Sequence, residues 1–195
     1  PNPFLMMHPV KIPIFDLCIC HFLKKIIKNN KNFYLPSYLD WNVFPFKDFN
    51  EIGFNVIASG QKSYNGVAIA SKFKINEINR ILPFYNQHII EDDQARFLHV
   101  KIKNINIICL YLPNGNPAPG PKYDYKINWM KRLIKYTEEI YDKNEPLILG
   151  GDFNVIQEDN DCYDLSKWEG DALYLKETRR CMKELINVGL IDSYR

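Results

Sequence analysis

The sequence of 195 residues lacks any uninterrupted apolar run of about 18 residues, the length at which a membrane-spanning helix is suspected. Its net charge is also small, because 25 Lys and Arg residues against 23 Asp and Glu residues leave a formal charge of +2. The first absence argues against a membrane protein. The second means that charge alone does not indicate a nucleic-acid-binding protein. With 46% hydrophobic and 25% charged residues, the composition is that of an ordinary globular domain.

The cysteines are odd in number and irregularly spaced, which argues against a simple metal-binding or disulfide framework. The five cysteines are Cys18, Cys20, Cys109, Cys162 and Cys181. The one close pair is separated by a single residue, whereas zinc-binding pairs are separated by about two to four residues. We predict reduced thiols in a reducing compartment. A clean secretory signal is also lacking, since Asp16 interrupts the apolar stretch Ile12–Cys20, and the cytoplasm is the predicted location.

The first 42 residues differ in composition from the rest of the chain. They contain five prolines and the basic segment Lys24–Lys31. We predict a divergent and poorly ordered segment here, with a basic nucleic-acid-binding arm as the weaker alternative. Residues 43–195 are predicted to form one domain.

Hydrophobic patterns in the rest of the chain predict alternating strands and helices. Short apolar runs predict strands at Val56–Ala58, Val67–Ala70, Phe97–Lys103, Ile105–Leu112 and Leu147–Gly151. The third and fourth of these form a hairpin that turns at Asn104. Apolar residues at steps of three and four predict a helix at Lys126–Asp142, and a second helix is predicted at Leu175–Val188, before Gly189. The predicted fold class is therefore a layered α/β structure.

The sharpest chemical signal is the segment Gly150–Val155, which reads GGDFNV directly after a buried strand. In extended chain, Asp152 and Asn154 point to the same face while Phe153 points into the core. A carboxylate beside an amide oxygen suits a hard cation such as Mg²⁺, or the positioning of a water molecule. The alternative is an Asx turn that closes the strand, since Asp and Asn favour turns.

Weaker signals lie at other strand ends. Tyr111 precedes a rigid Pro-Asn-Gly corner, where its hydroxyl could donate to a phosphoryl oxygen, although tyrosines at strand ends commonly only pack. Arg96 could bind phosphate with a bidentate guanidinium. The polar loop Gln61–Gly66 precedes a strand. The alternative for Arg96 is a surface salt bridge, and the alternative for this loop is an ordinary solvated loop.

Taken together and in order, these segments resemble the exodeoxyribonuclease III family, the bacterial AP endonuclease branch of the endonuclease/exonuclease/phosphatase superfamily. The resemblance is carried by QKSYNGVAI (Gln61–Ile69), QARF (Gln94–Phe97), YLPNG (Tyr111–Gly115), GGDFNV (Gly150–Val155) and DCYDLSKW (Asp161–Trp168). It implies a two-sheet α/β sandwich. It also implies Mg²⁺-dependent hydrolysis, with Mn²⁺ as a substitute, of duplex DNA at abasic sites and 3′ ends, without an obligatory protein partner.

The resemblance also implies roles for individual residues. Tyr111 is similar to the family's catalytic tyrosine. Asp152 is similar to its general acid/base, and Asn154 to the residue that stabilises the transition state beside the metal. A metal site at Asp152 and Asn154 follows. Contacts with the DNA backbone are implied for Arg96, Asn114, Lys62 and Asn65.

The sequence also departs from the family pattern. An early strand with a Trp-Asn motif is followed in the family by a strand that ends in a metal-binding Gln-Glu pair. Here the Trp-Asn motif is Trp41-Asn42, the first 60 residues contain no glutamine, and no Asp-His pair occurs anywhere. We therefore expect a domain that is incomplete at both ends and has impaired activity. The alternatives are a non-catalytic remnant with at most weak DNA binding and another superfamily member such as a phosphatase.

Overall fold

A computed structural model describes residues 4–7, 17–19, 44–61, 65–85 and 92–193, the first two of these ranges by their backbone only. Within these ranges the chain forms nine strands and three α-helices. The strands are β1 (Phe4–Met7), β2 (Leu17–Ile19), β3 (Asn55–Gly60), β4 (Gly66–Ser71), β5 (Ile75–Asn79), β6 (Phe97–Ile102), β7 (Ile105–Tyr111), β8 (Leu147–Asp152) and β9 (Ile191–Asp192). The helices are α1 (Phe46–Glu51), α2 (Pro121–Asp142) and α3 (Lys176–Asn187).

The strands form two sheets, which confirms the predicted two-sheet α/β sandwich. The larger sheet has six strands in the order β5-β6-β7-β8-β1-β9, and the smaller has three in the order β2-β4-β3. All described neighbours are antiparallel except β7 and β8, which run parallel. A parallel pair needs a crossover, and α2 provides it.

The six-stranded sheet is covered on both faces. On one face, Trp129, Met130 and Leu133 of α2 and Leu185 of α3 pack on the sheet through side chains such as Leu149. On the opposite face, Val67 and Ile69 of β4 pack against alternate residues of β6, β7 and β8. Burial on both faces explains why Leu147–Leu149 is a continuous apolar run rather than an alternating one.

The predicted strands and helices agree with the structure apart from their ends. The largest difference is the start of α2, which begins at Pro121 rather than at Lys126. Pro121 can begin the helix because proline is favoured in the first helical turn, where the backbone N–H that it lacks would have no partner within the helix. Among the described residues, no helix has both the length and the apolar character needed to cross a membrane.

Four strands and one helix were not predicted. β1 pairs with β8, and β2 pairs with β4, so two short parts of the first 42 residues extend the sheets. The rest of that segment lies outside the described residues, and the domain boundary at residue 43 stays a prediction. β5 has the sequence INEIN and exposes most of its side chains at a sheet edge, so that no apolar pattern marks it.

A buried polar network fixes the end of the β6–β7 hairpin that lies away from Tyr111. His99 is 3% exposed, accepts a hydrogen bond at Nδ1 from the Tyr136 hydroxyl (2.7 Å) and donates from Nε2 to Asn106 Oδ1 (3.0 Å). Asn106 Nδ2 donates to Glu145 Oε2 (2.7 Å), which orients the amide with its oxygen toward His99. The network therefore holds a neutral imidazole, and burial lowers the pKa of His99 to about 4.

We expect acid to destabilise the protein through His99. The folded state disfavours the charged imidazole, so its stabilising contribution is complete above a pH of about 6.5 and is lost as the pH falls toward 4. The free energy of unfolding should fall by up to about 3 kcal/mol across this window. Urea titrations followed by tryptophan fluorescence at several pH values measure it. In His99→Gln the side chain stays neutral, so the free energy of unfolding should depend less on pH. An equal pH dependence in the two proteins would show that His99 does not cause the loss of stability in acid.

Candidate active site

Tyr111 and Asp152 lie side by side at the carboxyl ends of two adjacent parallel strands. They are Cα partners in the β7–β8 register, and Leu112 N–H donates to Asp152 O (2.9 Å) just beyond them. Side chains alternate along a strand, so Tyr111 shares a face with Cys109, and Asp152 shares it with Ile148. Cys109 and Ile148 belong to the cluster between the two sheets. The tyrosine and the carboxylate therefore lie at the edge of the layer between the sheets, where loops of both sheets meet.

Asp152 and Asn154 form a tight turn instead of the extended segment predicted for them. β8 ends at Asp152, and Asn154 has a positive φ of 46°. Asn154 N–H donates to Asp152 Oδ1 (3.0 Å), which is an Asx turn, and Asn154 Nδ2 donates to Leu112 O (2.8 Å). Of the two alternatives that the sequence left open, the Asx turn is observed and the extended geometry was wrong, because a residue with positive φ cannot continue the pleat. The prediction that Phe153 points into the core is confirmed, since it is 6% exposed.

Arg96 lies against Tyr111. Its guanidinium carbon is 4.8 Å from the centroid of the Tyr111 ring, and its Nη1 donates to Tyr111 O (3.2 Å). The Tyr111 N–H in turn donates to Arg96 O (2.8 Å). A cation over an aromatic face is favourable, and it places positive charge beside the phenol. Tyr111, Asp152 and Arg96 are thus brought together from three different strands or strand ends.

The polar loop that precedes β4 is tied to Arg96 through two glutamines. Gln61 Oε1 accepts from Ala95 N–H (2.8 Å) and from Asn65 Nδ2 (3.4 Å). Gln94 Oε1 accepts from Asn65 Nδ2 (3.2 Å) and from Arg96 Nε (2.6 Å). Asn65 therefore links the small sheet to the Gln94–Arg96 segment, and its contact with DNA stays a prediction. Lys62, the other DNA-binding residue predicted in this loop, lies outside the described residues.

The loop after β7 is anchored by asparagine side chains. Asn114 is exposed, and its Oδ1 accepts from Asn116 N–H (3.2 Å) and Asn116 Nδ2 (2.9 Å). Asn116 Nδ2 also donates to Asp171 Oδ2 (3.0 Å), and Asn116 Oδ1 accepts from Ala172 N–H (3.0 Å). This loop is thereby joined to the segment before α3, and Asn114 stands where a ligand could contact it.

Sequence reasoning missed Lys126, a residue of α2 that is fully buried beneath these loops. Its ammonium donates to Asn114 O (3.0 Å) and to Asn154 O (2.7 Å). Burial lowers the pKa of Lys126 to about 7, while the nearby carboxylates of Asp171 and Asp152 act in the opposite direction. A signal was present in the sequence, because Lys126 occupies the apolar stripe of the helix, three and four residues before Trp129 and Met130.

The oxygen atoms near Asp152 are of the type that a hydrated Mg²⁺ ion prefers as ligands, but they are few. Mg²⁺ prefers oxygen ligands, keeps several waters and is often held by one or two carboxylates together with substrate phosphates. Asp152 offers a carboxylate and Asn154 an amide oxygen, and the described residues contain no group of three His, Cys, Asp or Glu side chains arranged for a metal. The chain's Gln-Glu pair, Gln157-Glu158, follows β8 and does not end an early strand.

The fold and the site define the class of protein. A family model described as "Endonuclease/Exonuclease/phosphatase family" matches residues 21–190. The chain therefore belongs to this family.

Individual relatives place the chain near exodeoxyribonucleases and AP endonucleases, as the sequence resemblance predicted. The exodeoxyribonuclease III of Haemophilus influenzae is 29% identical over 163 residues, which are 78% of this chain and 60% of that protein. An exodeoxyribonuclease of Bacillus subtilis is 26% identical over 136 residues, 69% of this chain and 51% of that protein. The chain thus spans little more than half the length of these curated relatives.

Solved structures support the same placement. An AP endonuclease from Archaeoglobus fulgidus has a TM-score of 0.74 and 30% identity, with 90% of this chain and 67% of that chain covered. A 3′ phosphatase from Neisseria, solved with a product DNA hairpin, has a TM-score of 0.72 and 28% identity. The match covers 89% of this chain and 68% of that chain.

Proposed function

We propose that this chain is a DNA phosphodiester hydrolase of the exodeoxyribonuclease III type, with Mg²⁺ as cofactor and Mn²⁺ as its substitute. Its proposed substrate is duplex DNA with abasic sites or 3′ ends. The observation that carries the proposal is the pairing of Tyr111 with Asp152 on adjacent parallel strands, with Arg96 over the tyrosine ring. Relatives named exodeoxyribonuclease and AP endonuclease, and a neighbour solved with DNA, support it.

In the proposed reaction, the protein side chains position water and phosphate for an in-line attack. The Asp152 carboxylate accepts the proton of the attacking water, and the Asn154 N–H holds that carboxylate in place. As the water oxygen bonds to phosphorus, the opposite bond from phosphorus to the leaving sugar oxygen breaks, and that oxygen takes up a proton from solvent. The Tyr111 hydroxyl and the Arg96 guanidinium donate to phosphoryl oxygens. A Mg²⁺ ion held by Asp152 and Asn154 would add positive charge at the phosphoryl group.

We propose that the rate is low, since one carboxylate and one amide are a sparse set of ligands for Mg²⁺. A second candidate function, non-catalytic weak DNA binding, is favoured by a specific feature. The Asp152–Asn154 Asx turn and the Asn154–Leu112 hydrogen bond serve the fold itself, as in an ordinary strand end. We further propose a reducing, cytoplasmic environment, on the odd number and irregular spacing of the five cysteines.

The two functions are separated by a cleavage assay with the full chain in excess over labelled duplex DNA that contains a tetrahydrofuran abasic site. We expect slow, single-site cleavage in millimolar Mg²⁺ or Mn²⁺, and none in EDTA. A duplex without the abasic site but with a recessed 3′ end tests exonuclease action. If the protein binds DNA but all cleavage matches the EDTA reaction, the hydrolase proposal is wrong and the binding function stands.

Arg96→Gln should weaken DNA binding about tenfold. A tenfold loss corresponds to about 1.4 kcal/mol of binding free energy, and removing one phosphate contact lowers the slope of log K against log salt by about one. Fluorescence anisotropy at several salt concentrations measures both quantities. Arg180→Gln is the matched control, because Arg180 is an exposed arginine of α3 that pairs with Glu177 and Glu184 on its own helix. Equal losses in the two variants would remove Arg96 from the proposed DNA-binding site.

A further inference from the structure

We infer that Lys126 is a positioning residue that holds the two loops of the proposed active site in their working arrangement. The inference rests on the proposed function for its effect on catalysis. Its structural part, the tie between the loops, stands on the geometry of this chain alone.

The two carbonyls bound by Lys126 belong to the two segments that carry the site. Asn114 follows β7, which ends at Tyr111, and Asn154 follows β8, which ends at Asp152. The β7–β8 ladder ends at Tyr111 and Asp152, and beyond it the two segments are joined by the Lys126 ammonium and by the Asn154 Nδ2–Leu112 O hydrogen bond. Because Lys126 is completely buried, it cannot touch DNA, and it acts on the reaction through the loops that it binds and through the field of its charge at Asp152.

The residues around Lys126 bind its ammonium group and pack against its aliphatic chain. A buried ammonium is unfavourable unless it is paired, and here two carbonyls lie at 2.7 and 3.0 Å while the carboxylates of Asp152 and Asp171 lie in its field. Gly115, between the tyrosine and Asn116, has a φ of +91° and packs on the stem so closely that a Cβ would lie 2.7 Å from Lys126 Cδ. The loop therefore follows the shape of this one side chain.

Lys126→Met tests the inference, because methionine keeps most of the length and removes the donors. Amide hydrogen exchange of segments 111–117 and 152–156 should become at least tenfold faster, while the C-terminal half of α2 keeps its protection. Single-turnover cleavage of the abasic duplex should slow by about 100-fold, since a displacement of about 1 Å at a reacting group has that effect. The Kd for DNA in EDTA should change less than threefold.

Ile140→Ala is the matched control. Ile140 is a buried core residue on the same helix, about 21 Å along its axis from Lys126, and its truncation lowers stability without touching the loops. Its exchange in the two segments and its cleavage rate per folded molecule should equal those of the unaltered protein. If Lys126→Met fails to fold, Gly115→Ala disturbs the same contact from the loop side and should give the same exchange pattern.

The outcomes separate this inference from the proposed function. If the unaltered chain does not cleave DNA, the proposed function fails, and the exchange experiment still decides on the tie between the loops. If exchange in both segments matches the Ile140→Ala control, the inference is overturned. If exchange becomes faster without any change in the cleavage rate, Lys126 only stabilises the fold, and the inference is overturned as well.

Discussion

Replacement of Gly151 by alanine should destabilise the protein by about 3 kcal/mol or more, or prevent folding. Gly151 is buried in β8 with a φ of +141°, and a Cβ there would lie 1.9 Å from Leu110 O of the neighbouring strand. Leu110 cannot move away, because β7 is held between β6 and β8. The clash could be relieved only if the two strands that carry Tyr111 and Asp152 moved apart.

Gly170→Ala is the control for this prediction. Gly170 also has a positive φ (+75°), but nothing lies within 4 Å of the position that a Cβ would take there, so only the backbone strain of about 1–2 kcal/mol applies. Urea unfolding of the two variants should therefore differ by at least about 1 kcal/mol. Equal losses would show that the close approach of β7 and β8 at Gly151 is not a constraint.

Asp152→Asn should lower the rate of DNA cleavage about 1,000-fold, to the rate of the reaction in EDTA. The amide keeps an oxygen that can accept from Asn154 N–H, so the Asx turn survives, but it can neither take a proton nor attract Mg²⁺ strongly. Thermal unfolding should stay within about 2 °C of the unaltered protein, and single-turnover assays with excess protein measure the rate.

Asp142→Asn serves as the matched carboxylate. Asp142 is exposed at the far end of α2, so its amide should leave cleavage unchanged. A residual rate for Asp152→Asn within tenfold of the unaltered protein would show that another group is the base. Asp152 would then serve only to form the Asx turn.

Local patterns were sufficient for most of the fold. The apolar runs of β6, β7 and β8 and the three-to-four periodicity of α2 each lie within one segment, and each was predicted, with the start of α2 as the largest error. The motifs around Tyr111 and Asp152 were also local, and they indicated the family that the match at residues 21–190 establishes.

Other features depend on pairing between distant segments, and only the tertiary structure decided them. β1, β2 and β5 form because a partner strand supplies their hydrogen bonds, and a short or polar sequence does not reveal that partner. The sequence also did not reveal that the Asn65 amide bonds to Gln94, 29 residues further along the chain.

The arrangement of the site shows the same division. The sequence by itself determined which residue types stand at the ends of β7 and β8 and how each strand alternates. It did not determine that the chain turns at Asn154, or that Lys126 joins the two loops from below. A buried lysine ammonium is stabilised where carbonyls and carboxylates from separate segments surround it, and that convergence exists only after the chain has folded.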